Sequence, residues 1–196
     1  IGSLLKHVAR YKGVKLIVVD PREIELTGYA TIWLRQRSGT DVAWINGLMN
    51  VIVNEALYDE EFIKSRTENF EEFKKVILKY TPDRVEKITG IPKRKLIEAA
   101  RMYARAKKAS IVFAMGITQH ITGTDNVLSL ANLAMLCGNV GKEGTGVNPL
   151  RGQNNVQGAC DLGALPDVYP GYQKVSDPKI REKFERAWRA KLSPKE

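Results

Sequence analysis

Cysteine is scarce in this sequence, and its scarcity excludes two kinds of cross-linked or metal-bound domain. The chain of 196 residues has two cysteines, Cys137 and Cys160, and they do not form a C-x-x-C motif. Neither a disulfide framework nor a zinc knuckle is therefore indicated. We expect each thiol to serve as a small buried hydrophobic side chain.

Long apolar runs are also absent. No stretch approaches the roughly 18 to 20 apolar residues of a membrane-spanning helix, and the first residues, IGSLLKHVARYKG, lack the pattern of a secretory leader. With 43% hydrophobic residues, the chain is long enough to bury a sizeable core, of one domain or one and a fraction. These features predict a globular, cytoplasmic protein without a membrane span.

Motifs of common enzyme sites are missing as well. The sequence has neither G-x-G-x-x-G nor a P-loop, and its spacing shows no Ser–His–Asp or Cys–His arrangement. Its two histidines, His7 and His120, lack a second His, Cys or carboxylate at metal-site spacing. The sequence therefore predicts no metal ligand in this chain.

The positive charge leaves one alternative function open. A count of 31 Lys and Arg against 22 Asp and Glu gives a net charge of +9, and clustered cations are typical of nucleic-acid-binding proteins. Here the cations lie among acids, as in YDEEFIKSRTENFEEFKKVILKY, and no aromatic platform accompanies them. This pattern favours a salt-bridged helix surface without a nucleic-acid partner. A surface rich in Lys and Glu also indicates a heat-adapted source.

Two short β-branched runs predict buried parallel strands. They are VKLIVVD at 14–20 and ASIVFAMG at 109–116, and TIWLR at 31–35 is a weaker third candidate. Strands separated by helices predict an α/β fold: a Rossmann-like, doubly wound, mostly parallel sheet with helices on both faces in three layers. The sheet is expected to be incomplete, because no strand precedes the first helix. We expect 14–19 and 110–115 to be neighbouring or near-neighbouring strands of one sheet.

Capping residues bound the predicted helices. Gly13 follows a helix that should end near Tyr11, and Thr40 or Asp41 should cap a helix that runs to about Ala56. Further predicted boundaries are a break before Asn69, a start at Thr81–Pro82, a stop at Gly90, a cap at Thr124, a stop at Gly138 and a last amphipathic helix with Ile180, Phe184 and Trp188 on one side.

A polar, glycine-rich segment raises the question of a ligand. The stretch GVNPLRGQNNVQGACDLGALPD at 146–167 offers far more hydrogen-bonding groups than one turn uses. It belongs to a predicted loop from Gly138 to Leu165, and loops of that length are usually functional or disordered. Either the run is a solvated loop, or it faces a polar ligand.

The ends of the predicted strands are the other candidate site. Ligands of open parallel sheets bind at the carboxyl ends of strands, which places Asp20, Arg22 and residues 115–119 on the ligand side. Asp20 can accept from ribose hydroxyls or guanine N–H groups, and Arg22 can pair with phosphate. The alternative for Asp20 is that it caps the turn before Pro21. An N-cap role by itself accounts for Asp41.

At GVNPLRGQNNVQGACDLGALPDVYPGYQ the sequence resembles the catalytic subunit of molybdenum- or tungsten-containing formate dehydrogenases, of the bis-molybdopterin guanine dinucleotide oxidoreductase family. The resemblance continues through VVDPRE, SGTD, GLMNVIVNEALYDEEFI, MGITQH and SLANLAMLCGNVGKEGTGVNP, and covers essentially all of the chain. It implies an enzyme that oxidises formate to CO2 at a Mo or W bis-pterin centre.

The resemblance also implies roles for individual residues. In the formate enzymes the arginine that matches Arg151 lies beside the metal, where its planar fork suits the formate carboxylate. Residues 19–23 and 39–41 would face one guanine dinucleotide, 115–119 would lie beside pterin or phosphate, and Gln153 and its neighbours would line the substrate pocket. The implied cofactor-binding residues are Val19, Asp20, Pro21, Arg22, Glu23, Gly39, Thr40, Asp41, Met115, Gly116, Gln119, Gly152, Gln153 and Asn154.

Other parts of the family pattern are missing from this sequence. The cysteines of the family's [4Fe–4S] cluster and its metal-ligating Cys or selenocysteine before His do not occur, and Cys160 is followed by Asp161 and lies in the wrong segment. The chain is thus expected to be a central fragment that is inactive alone and binds no cofactor. Its partners would be formate, the remaining domains of the subunit and an electron-transfer subunit.

The resemblance also implies a domain organisation, and two alternative functions stay open. Residues 1–150 would form a dinucleotide-binding-type α/β domain that lacks its first strand. Residues 151–196 would form the cofactor and substrate loop and the start of the adjoining α/β domain. The rival within the family is another bis-pterin enzyme such as nitrate reductase. The rival of another class is a basic nucleic-acid-binding module.

Overall fold

The computed structural model of the chain describes residues 1–194. Its helices are α1 (Gly2–Tyr11), α2 (Asp41–Asn54), α3 (Glu60–Arg66), α4 (Phe70–Ile77), α5 (Pro82–Thr89), α6 (Lys93–Ala104), α7 (Met115–Thr118), α8 (Gly123–Leu136), α9 (Val156–Asp161) and α10 (Pro178–Trp188). Its strands are β1 (Ile17–Val19), β2 (Ile32–Leu34), β3 (Ser110–Phe113), β4 (Gly146–Pro149), β5 (Val168–Tyr169) and β6 (Gln173–Lys174), with a 3₁₀ helix at Glu25–Tyr29.

Helix α2 lies at the centre of the main hydrophobic core. It is apolar around most of its circumference, which is the pattern of a helix covered on all sides, and its Ile45, Met49 and Ile52 are fully buried. Helices α5, α6 and α8 pack against it. Gly47 permits the close approach of α5, because a Cβ there would lie 2.8 Å from Val85 Cγ2.

Local capping signals position several helices as predicted. Thr81 Oγ1 accepts a hydrogen bond from Arg84 N, Pro82 occupies the first helical position, and Gly90 ends α5 with φ of +77°. Asn69, with φ of +58°, separates α3 from α4. The predicted break before Asn69 and both boundaries of α5 are confirmed.

The start of α8 differs from the prediction. We expected Thr124 to cap this helix, whereas the helix begins at Gly123 and the N-cap position is Thr122. A Cβ at Gly123 would collide with the carbonyl oxygen of Thr118, so only glycine allows the chain to turn this closely after α7. At the other end of α8, Gly138 has φ of +62° and follows the C-cap, as predicted.

The strands confirm an α/β fold but pair differently from the prediction. All three predicted runs contain strands, and β1 pairs in parallel with β2 while β3 pairs in parallel with β4. The expectation that 14–19 and 110–115 share one sheet is wrong, because within residues 1–194 they belong to separate two-stranded sheets. A buried apolar run shows that a strand exists, but its side chains carry little information about which strand is its partner.

The predicted long loop contains regular structure. Within Gly138 to Leu165 the structure has β4 and helix α9. The chain divides there into two compact units, Ile1–Pro149 and Leu150–Glu196. In the second unit the rings of Phe184 and Trp188 lie 4.9 Å apart on one side of α10, as the amphipathic pattern predicted.

Candidate functional site

The turn after β1 is organised by Asp20. Its Oδ1 accepts from Arg22 N at 2.8 Å, and its carbonyl oxygen accepts from Trp33 Nε1 at 2.9 Å. Arg35 Nε donates to Pro21 O at 3.0 Å. The turn-capping alternative for Asp20 is therefore confirmed. The Arg22 side chain is 81% exposed, so its charge is accessible to a ligand.

The turn before α2 places an acid inside the protein. Gly39 has φ of +77°, and Thr40 occupies the N-cap position but its Oγ1 donates to Arg37 O at 2.7 Å. Asp41 is only 4% exposed, and its Oδ1 accepts from Trp44 Nε1 at 3.2 Å. The N-cap interpretation of Asp41 is therefore wrong, because this carboxylate bonds an indole and no backbone N–H. The amide groups of Asp41 and Val42 have no acceptor within residues 1–194.

A single turn of helix, α7, follows β3. The predicted strand 109–116 ends at Phe113, so Met115 and Gly116 belong to this turn. Gln119 Nε2 lies 3.3 Å from Met115 Sδ, and His120 Nε2 lies 2.9 Å from Gly116 O. Both contacts therefore lie within residues 115–120, and Met115 is 61% exposed.

His120 brings two of the predicted cofactor-binding segments together. Its Nε2 lies 3.7 Å from Asp41 Oδ2, so residues 115–120 lie against the first turn of α2. No side-chain hydrogen bond or ion pair among the described residues joins 19–23 to either segment. Sequence reasoning considered His120 only as a metal ligand and missed this contact, which joins residues 79 positions apart and leaves no local signal.

Gln36 is a second residue that sequence reasoning missed. It follows β2, is 9% exposed, and its Oε1 is buried without a hydrogen-bond partner. A buried polar atom without a partner is costly, so a donor from a ligand would satisfy it. The available signal was an uncharged polar side chain two positions after the apolar run of β2.

The glycines of the chain differ in how much space surrounds them. A Cβ at Gly39, Gly116 or Gly152 would meet nothing within 4 Å, whereas one at Gly123 or Gly138 would collide with neighbouring protein atoms. Gly39, Gly116 and Gly152 are the three glycines predicted to bind cofactor, and they share these open surroundings with Gly2, Gly13, Gly28 and Gly141. Their open surroundings leave the backbone accessible to a ligand at close range.

In the second unit, Arg151 begins the polar segment. Its Nη2 donates to Gln157 Oε1 at 3.1 Å, and this is its one hydrogen bond or ion pair among residues 1–194. The side chains of Gln153 and Asn154 have no hydrogen bond within the same residues and are exposed. Asn155, by contrast, has a turn role, because it adopts φ of +51° at the start of α9.

Asp161 and Tyr172 complete a network around Gln157 that sequence reasoning did not anticipate. Tyr172 Oη donates to Asp161 Oδ1 at 2.9 Å, and Gln157 Nε2 donates to both side chains at 3.1 Å. The hydrogen bond to Asp161 raises the pKa of Tyr172, so the phenol remains a donor. The network consists of exposed side chains within the second unit.

A comparison with protein families decides the classification. The molybdopterin oxidoreductase model matches residues 2–192. The chain belongs to the molybdopterin oxidoreductase family. The resemblance seen in the sequence is therefore confirmed at the level of the family.

Named relatives of this molybdopterin oxidoreductase chain include formate dehydrogenases. It is 55% identical over 186 residues to the F420-dependent formate dehydrogenase subunit alpha of Methanocaldococcus jannaschii, covering 95% of this chain and 27% of the relative. It is 53% identical over 186 residues to formate dehydrogenase H of Escherichia coli, covering 95% and 26%. The chain thus spans about a quarter of the length of these relatives.

A solved structure supports the fold assignment. Acetylene hydratase from Pelobacter acetylenicus superposes with a TM-score of 0.66 and 36% identity, covering 68% of this chain and 18% of that one. The described residues of our chain contain no group of three or more His, Cys, Asp or Glu side chains arranged to hold a metal ion. No helix among them is long and apolar enough to cross a membrane.

Proposed function

We propose that this chain is part of a formate dehydrogenase catalytic subunit that oxidises formate to CO2 with a Mo or W bis(molybdopterin guanine dinucleotide) cofactor. The observation that carries the proposal is that the guanidinium of Arg151 is exposed and has free N–H groups. Its guanidinium is exposed and makes one hydrogen bond, to Gln157, so most of its N–H groups are free to bind an anion. The relatives named formate dehydrogenase support formate as that anion.

The first unit fits a dinucleotide cofactor on three observations. Gln36 Oε1 needs a donor, which the N–H groups of guanine or pterin provide. Asp41 N and Val42 N at the start of the 14-residue helix α2 need acceptors, which a phosphate provides. The backbone at Gly39 and Gly116 is open to close approach.

Particular residues of the chain would hold this cofactor. We assign this role to Val19, Asp20, Pro21, Arg22, Glu23, Gly39, Thr40, Asp41, Met115, Gly116, Gln119, Gly152, Gln153 and Asn154. Of these, Arg22 and the first turn of α2 suit phosphates, while the buried Asp41 is fixed by Trp44 and restrains the turn around it. When bound, the cofactor would supply the redox chemistry, and these residues would bind and position it.

Arg151 would bind and orient the substrate. Oxidation of formate to CO2 releases one proton and two electrons, and the C–H bond must point at the electron acceptor. A guanidinium that bonds both carboxylate oxygens fixes the direction of the C–H bond opposite to it. Arginine also keeps its positive charge there, because its pKa is too high for it to lose a proton.

We propose that the whole enzyme also contains a [4Fe–4S] cluster, the remaining domains of the subunit and an electron-transfer partner subunit. We further propose that it is cytoplasmic and comes from a heat-adapted source. Residues 1–150 would serve as the dinucleotide-binding part and 151–196 as the start of the adjoining domain. Neither nitrate reduction nor nucleic-acid binding gains support from the relatives described above.

Replacement of Arg151 by lysine tests the proposal in the holoenzyme. Lysine conserves the charge but cannot form the two parallel bonds, so we expect kcat/KM for formate to fall by roughly one to three orders of magnitude at unchanged cofactor content. Arg186→Lys, at an exposed position of α10, is the matched control and should retain activity. Full cofactor loading with near-normal formate turnover in Arg151→Lys would exclude Arg151 from the substrate site.

A further inference from the structure

Four side chains of the second unit form a hydrogen-bond chain with a fixed direction. Tyr172 Oη donates to Asp161 Oδ1, and Gln157 Nε2 donates to Tyr172 Oη and to Asp161 Oδ1. Gln157 Oε1 then accepts from Arg151 Nη2 at 3.1 Å. The chain therefore runs from a guanidinium through an amide and a phenol to a carboxylate.

Asp161 and Tyr172 determine which end of the amide faces Arg151. In the opposite orientation, Gln157 would direct its oxygen at the Asp161 carboxylate and its NH2 group at the guanidinium, and both contacts would be repulsive. Gln157 and Asp161 are four residues apart on α9, so they share one face of this helix. Tyr172 reaches the pair from a backbone with φ of +56°, a conformation that few residues other than glycine adopt.

We propose that Gln157, oriented by Asp161 and Tyr172, is a positioning residue that holds the guanidinium of Arg151 for the substrate carboxylate. This inference rests on the proposed function, in which Arg151 binds formate. A guanidinium has five N–H groups, of which the contact with Gln157 uses one, and a bidentate carboxylate needs two more. The contact thus restricts a long side chain that would otherwise sample many rotamers, and it leaves enough donors for the substrate.

A double-mutant cycle in the holoenzyme tests this inference. We expect Gln157→Ala to lower kcat/KM for formate roughly tenfold, since the group positioned is the one that orients substrate, and Tyr172→Phe to lower it less. Because Gln157 acts through Arg151, adding Gln157→Ala to Arg151→Lys should have little further effect. Cofactor content, measured on the same samples, should equal that of the wild type.

Two further variants separate positioning from a general structural role. Gln157→Glu alone sets two carboxylates against each other and should be defective, whereas the pair Gln157→Glu and Asp161→Asn restores complementary groups and should recover much of the activity. Gln173→Ala is the matched control, because Gln173 bonds Pro170 O and Lys183 Nζ outside the chain from Arg151 to Asp161. It should retain wild-type kcat/KM.

The outcomes distinguish this inference from the function on which it rests. Near-normal turnover in fully loaded Arg151→Lys would overturn the proposed role of Arg151 itself. A defective Arg151→Lys together with wild-type kcat/KM in Gln157→Ala and Tyr172→Phe would overturn only the positioning role. Full additivity of the Gln157 and Arg151 effects, or a loss of cofactor in Gln157→Ala, would also overturn it, because either result shows an effect independent of the guanidinium.

Discussion

His120 Nε2 lies 3.7 Å from Asp41 Oδ2 and 2.9 Å from the carbonyl oxygen of Gly116. Asp41 begins α2, the helix at the centre of the main core, and its carboxylate is almost fully buried. His120 follows the single turn of helix after β3. One imidazole therefore links the buried start of the core helix to a short exposed segment that we assign to cofactor binding.

Removal of this imidazole should weaken cofactor retention. His120→Ala deletes the contact with Gly116, and a hydrogen bond contributes about 1 kcal/mol, so we expect about fivefold weaker retention of the pterin. The measurement is the molybdopterin content of the holoenzyme after prolonged dilution. His7→Ala is the matched control, because His7 lies on α1 and contacts the ring of Tyr11. Equal retention in both variants would contradict the role of His120.

A methyl group at Gly47 should destabilise the packing of helices on α2. Its Cβ would lie 2.8 Å from Val85 Cγ2 and 3.0 Å from Leu96 Cδ2, and overpacking of this kind costs about 1–3 kcal/mol. The better helix propensity of alanine offsets about 1 kcal/mol, so the net loss for Gly47→Ala should be about 1 kcal/mol. Urea unfolding of the 196-residue chain measures it.

Gly2→Ala provides the comparison for Gly47. Gly2 is also helical, but a Cβ there would meet nothing within 4 Å, so its substitution should be neutral or slightly stabilising. If Gly47→Ala were as harmless as Gly2→Ala, the close contact between α2 and α5 would not be a packing constraint.

Features encoded within a few residues could be predicted from this sequence, and features that join distant residues could not. Thr81, Pro82 and Gly90 bound α5 through their own side chains and backbone preferences, which act locally. The pairing of β3 with β4 joins residues more than thirty positions apart, and the run SIVF itself carries no information about that partner.

In the candidate site, too, the sequence predicted one residue from a local motif but not the distant residues that contact it. The family motif identified Arg151, but its hydrogen-bond partner Gln157 and the Tyr172 hydroxyl that bonds Gln157 are 15 positions apart, so their contact leaves no local signal in the sequence. The start of α8 was mispredicted for a related reason: Thr124 is a good N-cap residue, yet the close approach of Thr118 requires glycine one position earlier.

Alkaline pH should destabilise the first unit through Cys137. Burial raises the pKa of this thiol from its ordinary value of 9.0 to about 12. The folded chain therefore keeps a proton that the unfolded chain releases, so the free energy of unfolding falls as pH rises from 9.0 towards 12, by at most about 1.4 kcal/mol per pH unit. Burial also raises the pKa of Tyr103, which acts in the same direction at higher pH.

Comparison of variants isolates the contribution of Cys137. Between pH 8.5 and 10.5, a range chosen about the ordinary thiol pKa, the stability of Cys137→Ala should depend less steeply on pH than that of the wild type. Cys160→Ala is the matched comparison, because Cys160 lies in the second unit, outside the core against which Cys137 packs. Parallel slopes for all three proteins would show that Cys137 does not titrate differently on unfolding.

Gln36 should have opposite effects on the stability of the free chain and on cofactor binding. Its Oε1 is buried without a partner, and an unsatisfied buried acceptor costs about 1–3 kcal/mol. Replacement by leucine, which has a similar volume and no polar atom, removes this cost, so Gln36→Leu should be at least as stable as the wild type in urea unfolding without cofactor. If the cofactor supplies the missing donor, the same substitution should lower molybdopterin retention in the holoenzyme by about fivefold or more.

Tyr169→Phe is the control, because Tyr169 Oη is also buried without a partner but lies in the small core of the second unit with Phe184. Both substitutions should raise or preserve stability, and only Gln36→Leu should release cofactor. A Gln36→Leu enzyme that retains its cofactor as well as Tyr169→Phe does would show that the unpartnered oxygen is not a cofactor contact.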